Sequence, residues 1–389
     1  MNKYSIKGLS IYLFAFLIFC TSTAFAQTAS HLIDTTSSQF KNNLLPIPVV
    51  GSSQERGLEF GIAALYSFYL NKSSNEQRNS TINLIGTYTT KKQSKLSLNG
   101  SLWTKNNDWH LITDVKYYDF PNYFYGIGNN TKESDKDIIN DQKFRINIDA
   151  EREVANNFYV GAGLWYLYED ISDKDATGIY SSSELEGKTG GNITFLSLSA
   201  TFDNRDIVNY PHKGSYLRFY IQNSLKAFAS DFNFALLTLD ARKYWRVHTT
   251  TTIAAQSYIQ SLQGPDKPFY MLPQLGNDLV MRGYYTGRYR DQNYLALQSE
   301  LRFRPFAKRP DAGWFSLSRG VIAAFVGAGG VFSNSDFNKD TLKPNFGIGG
   351  RYIFDERNRL TLRVDYGFGS INPGEKRSQG FYLSLNEAF

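Results

Sequence analysis

The chain has 389 residues, a formal net charge of +6 and a single cysteine, with 26 Tyr and 29 Phe but only 11 Pro. The charge is mild and carries no lysine or arginine run, which gives no support for nucleic-acid binding, and one cysteine rules out a disulfide framework. The four histidines (His31, His110, His212 and His248) show no metal-ligand spacing, and no G-x-S-x-G elbow is present, so the composition implies no cofactor and no enzyme.

In chain order, Lys3 and Lys7 precede an apolar run from Gly8 to Phe19, followed by Ala24-Phe25-Ala26. This is the pattern of a cleaved secretory signal, residues 1–26. The run is short for a helical span of roughly 20 residues, and Phe19 is too bulky to precede a lipidated Cys20. Residues 27–44 form a short polar lead, read as a periplasmic segment before a single domain at 45–389.

From there, period-2 alternation runs to the end. Leu96 and Leu98 alternate with Ser97 and Asn99; Ile146 and Ile148 with Arg145, Asn147 and Asp149; Leu362, Val364 and Tyr366 with Thr361, Arg363 and Asp365. The alternation predicts sixteen strands, at 45–51, 57–70, 79–90, 94–105, 108–119, 141–153, 157–170, 192–204, 213–225, 232–245, 249–262, 293–306, 317–332, 343–354, 359–370 and 380–389. Many exceed the roughly 5–6 residues of soluble strands and match the roughly 9–11 of a tilted membrane strand. Long connections (120–140, 171–191 and 263–292) follow only odd-numbered strands, while Asn106-Asn107 and Asn156-Asn157 look like tight turns. Long outer loops with short inner turns, abundant aromatics and an even strand count all fit an all-β, sixteen-stranded antiparallel transmembrane β-barrel in the outer membrane, both termini periplasmic. A soluble secreted β-protein has the same residue parity and is the competing reading.

The last predicted strand places Phe381, Leu383, Leu385 and Phe389 on one face, interrupted by Glu387. It resembles the C-terminal signal read by the barrel assembly machinery. The connection after strand 11 contains Met281-Arg282-Gly283-Tyr284, Tyr210-Pro211-His212-Lys213-Gly214 enters strand 9, and Phe124-Tyr125-Gly126-Ile127-Gly128-Asn129-Asn130 follows strand 5. Together these resemble the Omp85 superfamily of the BamA/TamA group, over essentially all of 45–389. The resemblance implies that the Arg282 loop, the sixth outer loop, folds into the lumen.

A guanidinium inside a barrel needs a carboxylate. Glu300 is in phase with Gln298 and Arg302 on strand 12 and matches the family's acidic residue there, so an Arg282–Glu300 contact is expected. The family's second acidic partner, on strand 13, is replaced here by Gly327. A second departure concerns the periplasmic POTRA domains that usually precede the barrel, since 27–44 is too short to form one. The resemblance implies protein insertion, translocation or outer-membrane assembly, alone or as an accessory subunit, acting through a weak seam between strands 1 and 16. Lipid and lipopolysaccharide, the assembly machinery and client or complex proteins are the implied partners. The alternative is a passive pore or structural barrel. A hydrolase built on Ser257 or Ser261 with His248 has little to recommend it.

Overall fold

The computed structural model describes residues 42–53, 57–70, 77–175, 177–311, 316–356, 358–370 and 377–389. The signal and nearly all of the polar lead lie outside the described residues. Sixteen strands form one sheet in strict sequence order, every neighbouring pair antiparallel. They are β1 Asn43–Ser53, β2 Gly57–Phe68, β3 Ser80–Thr89, β4 Ser94–Trp103, β5 Trp109–Phe124, β6 Asp137–Ala155, β7 Phe158–Asp173, β8 Gly190–Asp203, β9 Gly214–Ser224, β10 Phe234–His248, β11 Thr251–Gln263, β12 Asn293–Phe303, β13 Gly320–Phe332, β14 Lys343–Asp355, β15 Leu360–Gly369 and β16 Ser378–Leu385.

The predicted strands are all present, with three shifts of consequence. β5 and β6 continue past their expected ends into a 16- and a 19-residue strand, because Phe120–Phe124 pairs on against Asp137–Asp141. The outer connection there is correspondingly shorter than 120–140. The turn asparagines Asn106, Asn107 and Asn157 take left-handed φ of 61°, 63° and 60°, which asparagine tolerates better than most residues. The third shift, at the C-terminus, belongs to the functional site.

The packing is inside out. Along β7, Val160, Leu164 and Tyr168 are exposed, while Glu169 on the other face is buried. Along β12, Leu297 and Leu301 are exposed while Glu300 and Arg302 are fully buried; along β15, Val364 and Tyr366 face out while Arg363 and Asp365 are buried. A soluble sandwich would do the reverse. A charge on the lipid face of such a barrel costs about 2–4 kcal/mol at the midplane, so this parity is the one a bilayer selects.

The sheet curls until its ends approach. Asn43 Nδ2 donates to Asp355 Oδ2 at 3.0 Å, and Tyr69 OH donates to Asn358 Oδ1. Arg78, before β3, reaches Asp203 at the end of β8 at 2.5 Å. Among the described residues no ladder joins β1 to β16. At the rim carrying the long connections, the lumen holds an apolar cluster that includes Phe124, Leu167, Phe195, Phe234, Leu262 and Phe269.

Candidate functional site

The connection between β11 and β12, residues 264–292, folds into the lumen. Its residues 280–284 are buried, so their main chain needs hydrogen-bond partners, and lumenal side chains supply them. Gln298 on β12 accepts from the Met281 amide at 3.2 Å and donates to Leu279 O at 2.9 Å. Asn345 on β14 donates to Arg282 O at 2.9 Å. On β16, Tyr382 OH accepts from the Gly283 amide at 2.8 Å and Ser378 donates to Gly283 O at 2.7 Å.

Gly283 lets the loop lie flat on the wall. Its φ is +111°, and a Cβ there would stand 2.5 Å from Phe368 C. From the wall side, a Cβ on Gly367 would stand 2.8 Å from Arg282 C. Backbone therefore meets backbone, which only glycine permits. Next to it, Tyr284 donates its hydroxyl to Pro344 O at 2.6 Å and accepts from the Ser370 amide at 2.9 Å. Met281 is fully buried among Leu275, Val280, Tyr294 and Val331.

Arg282 sits at the centre. Its Nη2 meets Glu300 Oε2 at 2.6 Å and its Nη1 donates to Asp365 on β15. Its Cζ lies 3.7 Å from the Phe325 ring centroid, a desolvated cation–π contact. Arg351 on β14 bridges both acids, 3.1 Å from Glu300 and bonded to Asp365. Arg302 binds Glu300 at 2.8 Å, and Arg363 binds Asp365 at 3.0 Å and Asp278 at 3.4 Å. Glu387 completes the group, 3.1 Å from Arg351 and 3.5 Å from Arg302. Arg282, Arg302, Arg351 and Arg363 thus face Glu300, Asp365, Asp278 and Glu387. Equal numbers of opposite charges, with forked guanidinium bonds, offset the cost of taking ions out of water.

Arg282 and Glu300 are therefore in contact. Gly327, the position without the family's acid, does face the lumen between Gln298 and Asn345, but a Cβ there would come 2.6 Å from Asn345 Oδ1. The second carboxylate comes from β15 instead, as Asp365. Residue identity gave no reason to choose it, but its phase on the polar face of β15 did place it in the lumen.

The C-terminal strand departs from its expected course. Phe381 and Leu383 point outward, 66% and 50% exposed. β16 stops at Leu385, which is half-buried, and Asn386 turns the chain at φ 62°. Phe389 does not continue the outer row: it is buried in the lumen with Tyr244 and Ala254, its main-chain oxygen accepting from Arg302 at 2.6 Å. The reason is Glu387, whose carboxylate has no place against lipid and finds Arg351 and Arg302 inside.

The other two motif segments brace this arrangement. Gly128 donates its amide to Arg290 O at 2.8 Å, and Arg288 donates to Thr131 O at 2.7 Å, tying the inward loop to the connection after β5. At the opposite rim, the β8–β9 turn folds under the wall. Tyr210 is buried with Val321 and Ile353, Asn209 donates to Asn358 O at 3.0 Å, and Asp206 pairs with Arg359 at 3.0 Å. His212 Nδ1 lies 2.7 Å from Arg359 Nη1 and 2.9 Å from Arg246 Nη2. Burial and the Arg359 guanidinium hold its pKa well below the ordinary 6.5.

The profile of the Omp85 superfamily domain matches residues 56–389. No curated protein sequence matches the chain. Among solved structures, it is similar to BamA from Haemophilus ducreyi lacking POTRA domains 1-3 (14% identity, TM-score 0.51, covering 89% of this chain and 70% of that one). It is also similar to CdiB from Acinetobacter baumannii (13%, TM-score 0.54, 90% and 60%) and CdiB from Escherichia coli (12%, TM-score 0.56, 88% and 62%). It thus spans under two thirds of the length of either CdiB chain, and at such identities the likeness is one of fold. The profile match, covering most of the chain, and a loop arginine pinned in the lumen lead to one assignment: the chain belongs to the Omp85 superfamily.

Proposed function

We propose that this chain is an outer-membrane barrel, exported with residues 1–26 removed, that inserts or translocates proteins during outer-membrane assembly, as an accessory to partner proteins. One observation carries the reading: a rigidly anchored lumen stands beside an unladdered seam. The β1–β2 ladder is continuous through Pro46 and Pro48. A proline nitrogen cannot donate, so both residues occupy non-hydrogen-bonded pairs and aim their nitrogens at the free edge of β1. That edge lacks two of the donors a partner strand would use, and β16 offers only 8 residues. A strand entering the seam competes with few existing bonds.

The test is a cysteine pair joining β1 to β16. Oxidised cross-links should abolish assembly activity and reduction should restore it; full activity in the cross-linked protein would count against the seam. The passive-pore alternative predicts a large stable conductance in planar bilayers and no assembly defect on depletion. The apolar cluster packed in the lumen at the rim of the long connections favours the assembly reading. Enzymatic chemistry is not part of the proposal. Ser101 Oγ does lie 2.8 Å from His110 Nε2, and His110 Nδ1 lies 3.3 Å from Glu151. Ser101, however, sits within the β3–β4–β5 ladders, whose amides are committed to neighbouring strands and leave no oxyanion hole.

A further inference from the structure

The lumenal wall of β4–β6 differs from the rest of the interior. Residue phase places Lys95 on β4, Lys116 on β5 and Arg145 on β6 facing inward, in line with buried Ser97 and Asn147. Lys116 pairs directly opposite Arg145, and Lys95 lies one step along, opposite Tyr118. Like charges directly opposite on neighbouring strands destabilise a sheet. Elsewhere such pairs are neutralised: Arg351 and Arg363 are also opposite, but Asp365 lies between them, bonded to both. Lys143, next along β6, has Glu169 at 2.9 Å and Asp141 at 3.5 Å. The acids on the β4–β6 wall are engaged with other groups: Asp114 with Arg145 and Asn99, Asp141 with Lys143 and Asn122, Asp149 with Ser197 and Tyr220, and Glu151 with Ser199 and Arg218. Among the described residues, Lys95 and Lys116 have no ion-pair or hydrogen-bond partner.

We propose that Lys95, Lys116 and Arg145 form a lumenal binding site for a phosphate-type oxyanion, free or carried on a larger molecule. Asp114 takes Arg145 through Nε at 2.6 Å and through Nη2, which fixes the guanidinium and leaves Nη1 for a ligand. Arg145 Cζ also lies 5.4 Å from the Trp165 ring centroid, which steadies the fork. Two ammonium groups and one guanidinium edge match the several acceptor oxygens of a tetrahedral oxyanion, and charge-assisted bonds of this kind are the strong ones. An oxyanion in this position cancels the repulsion that the wall otherwise bears.

The full chain, refolded in an uncharged detergent, is heated in sodium phosphate, in glycerol 3-phosphate and in sodium chloride at matched ionic strength. The expected result is a saturable rise of the unfolding midpoint in phosphate that exceeds the chloride effect. In the Lys95→Gln/Lys116→Gln double variant the half-saturating phosphate concentration should rise about tenfold or more, the loss expected from removing two charge-assisted donors. At low salt without phosphate, the same variant should melt above the wild type, because its repulsion is gone; this outcome also shows that it folds. A response to glycerol 3-phosphate as well assigns a carried phosphate group, and a response to inorganic phosphate alone assigns the free ion. Equal midpoints in phosphate and chloride, or an unchanged phosphate response in the double variant, would overturn the site.

Discussion

Arg282 donates to Asp365, a residue 83 positions downstream on the last strand but one. This pair ties the inward loop to β15, while Glu300 ties it to β12. The loop is thereby clamped across the wall that leads to the seam, so its position and the stability of β15–β16 are coupled.

Replacing Arg282 with alanine should lower stability by about 3 kcal/mol, the lower end expected for breaking a buried ion pair, because Arg351 still bridges Glu300 and Asp365. Urea unfolding of the refolded barrel measures it. Arg282→Lys should recover little, since a compact ammonium lacks the planar, pre-organised fork that spans Glu300 and Asp365. A wild-type midpoint for both variants would show that the network contributes nothing.

Gly283→Ala should release the loop without removing any charge. The substitution puts a Cβ at 2.5 Å from Phe368 C on a residue with φ +111°, a strain of about 1–3 kcal/mol. Limited proteolysis between Leu279 and Arg290 is the readout, with faster cleavage than in the wild type. Unchanged protection would mean the loop does not depend on this close approach.

Gly327→Asp, which supplies the strand-13 acid that the family resemblance implies, should destabilise the barrel by about 1–3 kcal/mol through overpacking. Its Cβ would meet Asn345 Oδ1 at 2.6 Å and Leu297 O at 2.8 Å, and Asp365 already fills the role. Stabilisation by this variant would refute the assignment of Asp365 as the replacement.

The β8–β9 turn should loosen in mild acid. Burial and Arg359 depress the folded-state pKa of His212 below 6.5. As pH falls through 6.5, the unfolded chain binds the proton first, so the contribution of His212 is complete above that pH and is lost below it. Unfolding midpoints measured between pH 7.5 and pH 5, a window set by this linkage, should fall for the wild type and stay flatter in His212→Gln. Parallel curves for the two proteins would remove His212 from the account.

Much of this was legible without coordinates. Period-2 alternation is a local property, since each side chain's face follows from its neighbours in the strand. That is why Leu362, Val364 and Tyr366 separate from Arg363 and Asp365 on sight, and why the sixteen segments emerge with small errors at their ends. Arg282 stood out because its chemistry demands an acid and Glu300 was in phase to supply one.

Which acids and cations converge depends on strands distant in sequence, and here only tertiary structure decided. Asp365 became the second partner because the curl of the sheet brings β15 against the inward loop, and Gly367 leaves room for that approach. Phe389 left the outer face because Glu387 found Arg351 and Arg302 within reach in the lumen. Local sequence assigns each residue to lipid or lumen through the pleat. The pairing of buried charges is a long-range electrostatic outcome, settled only when the sheet curls and water is excluded.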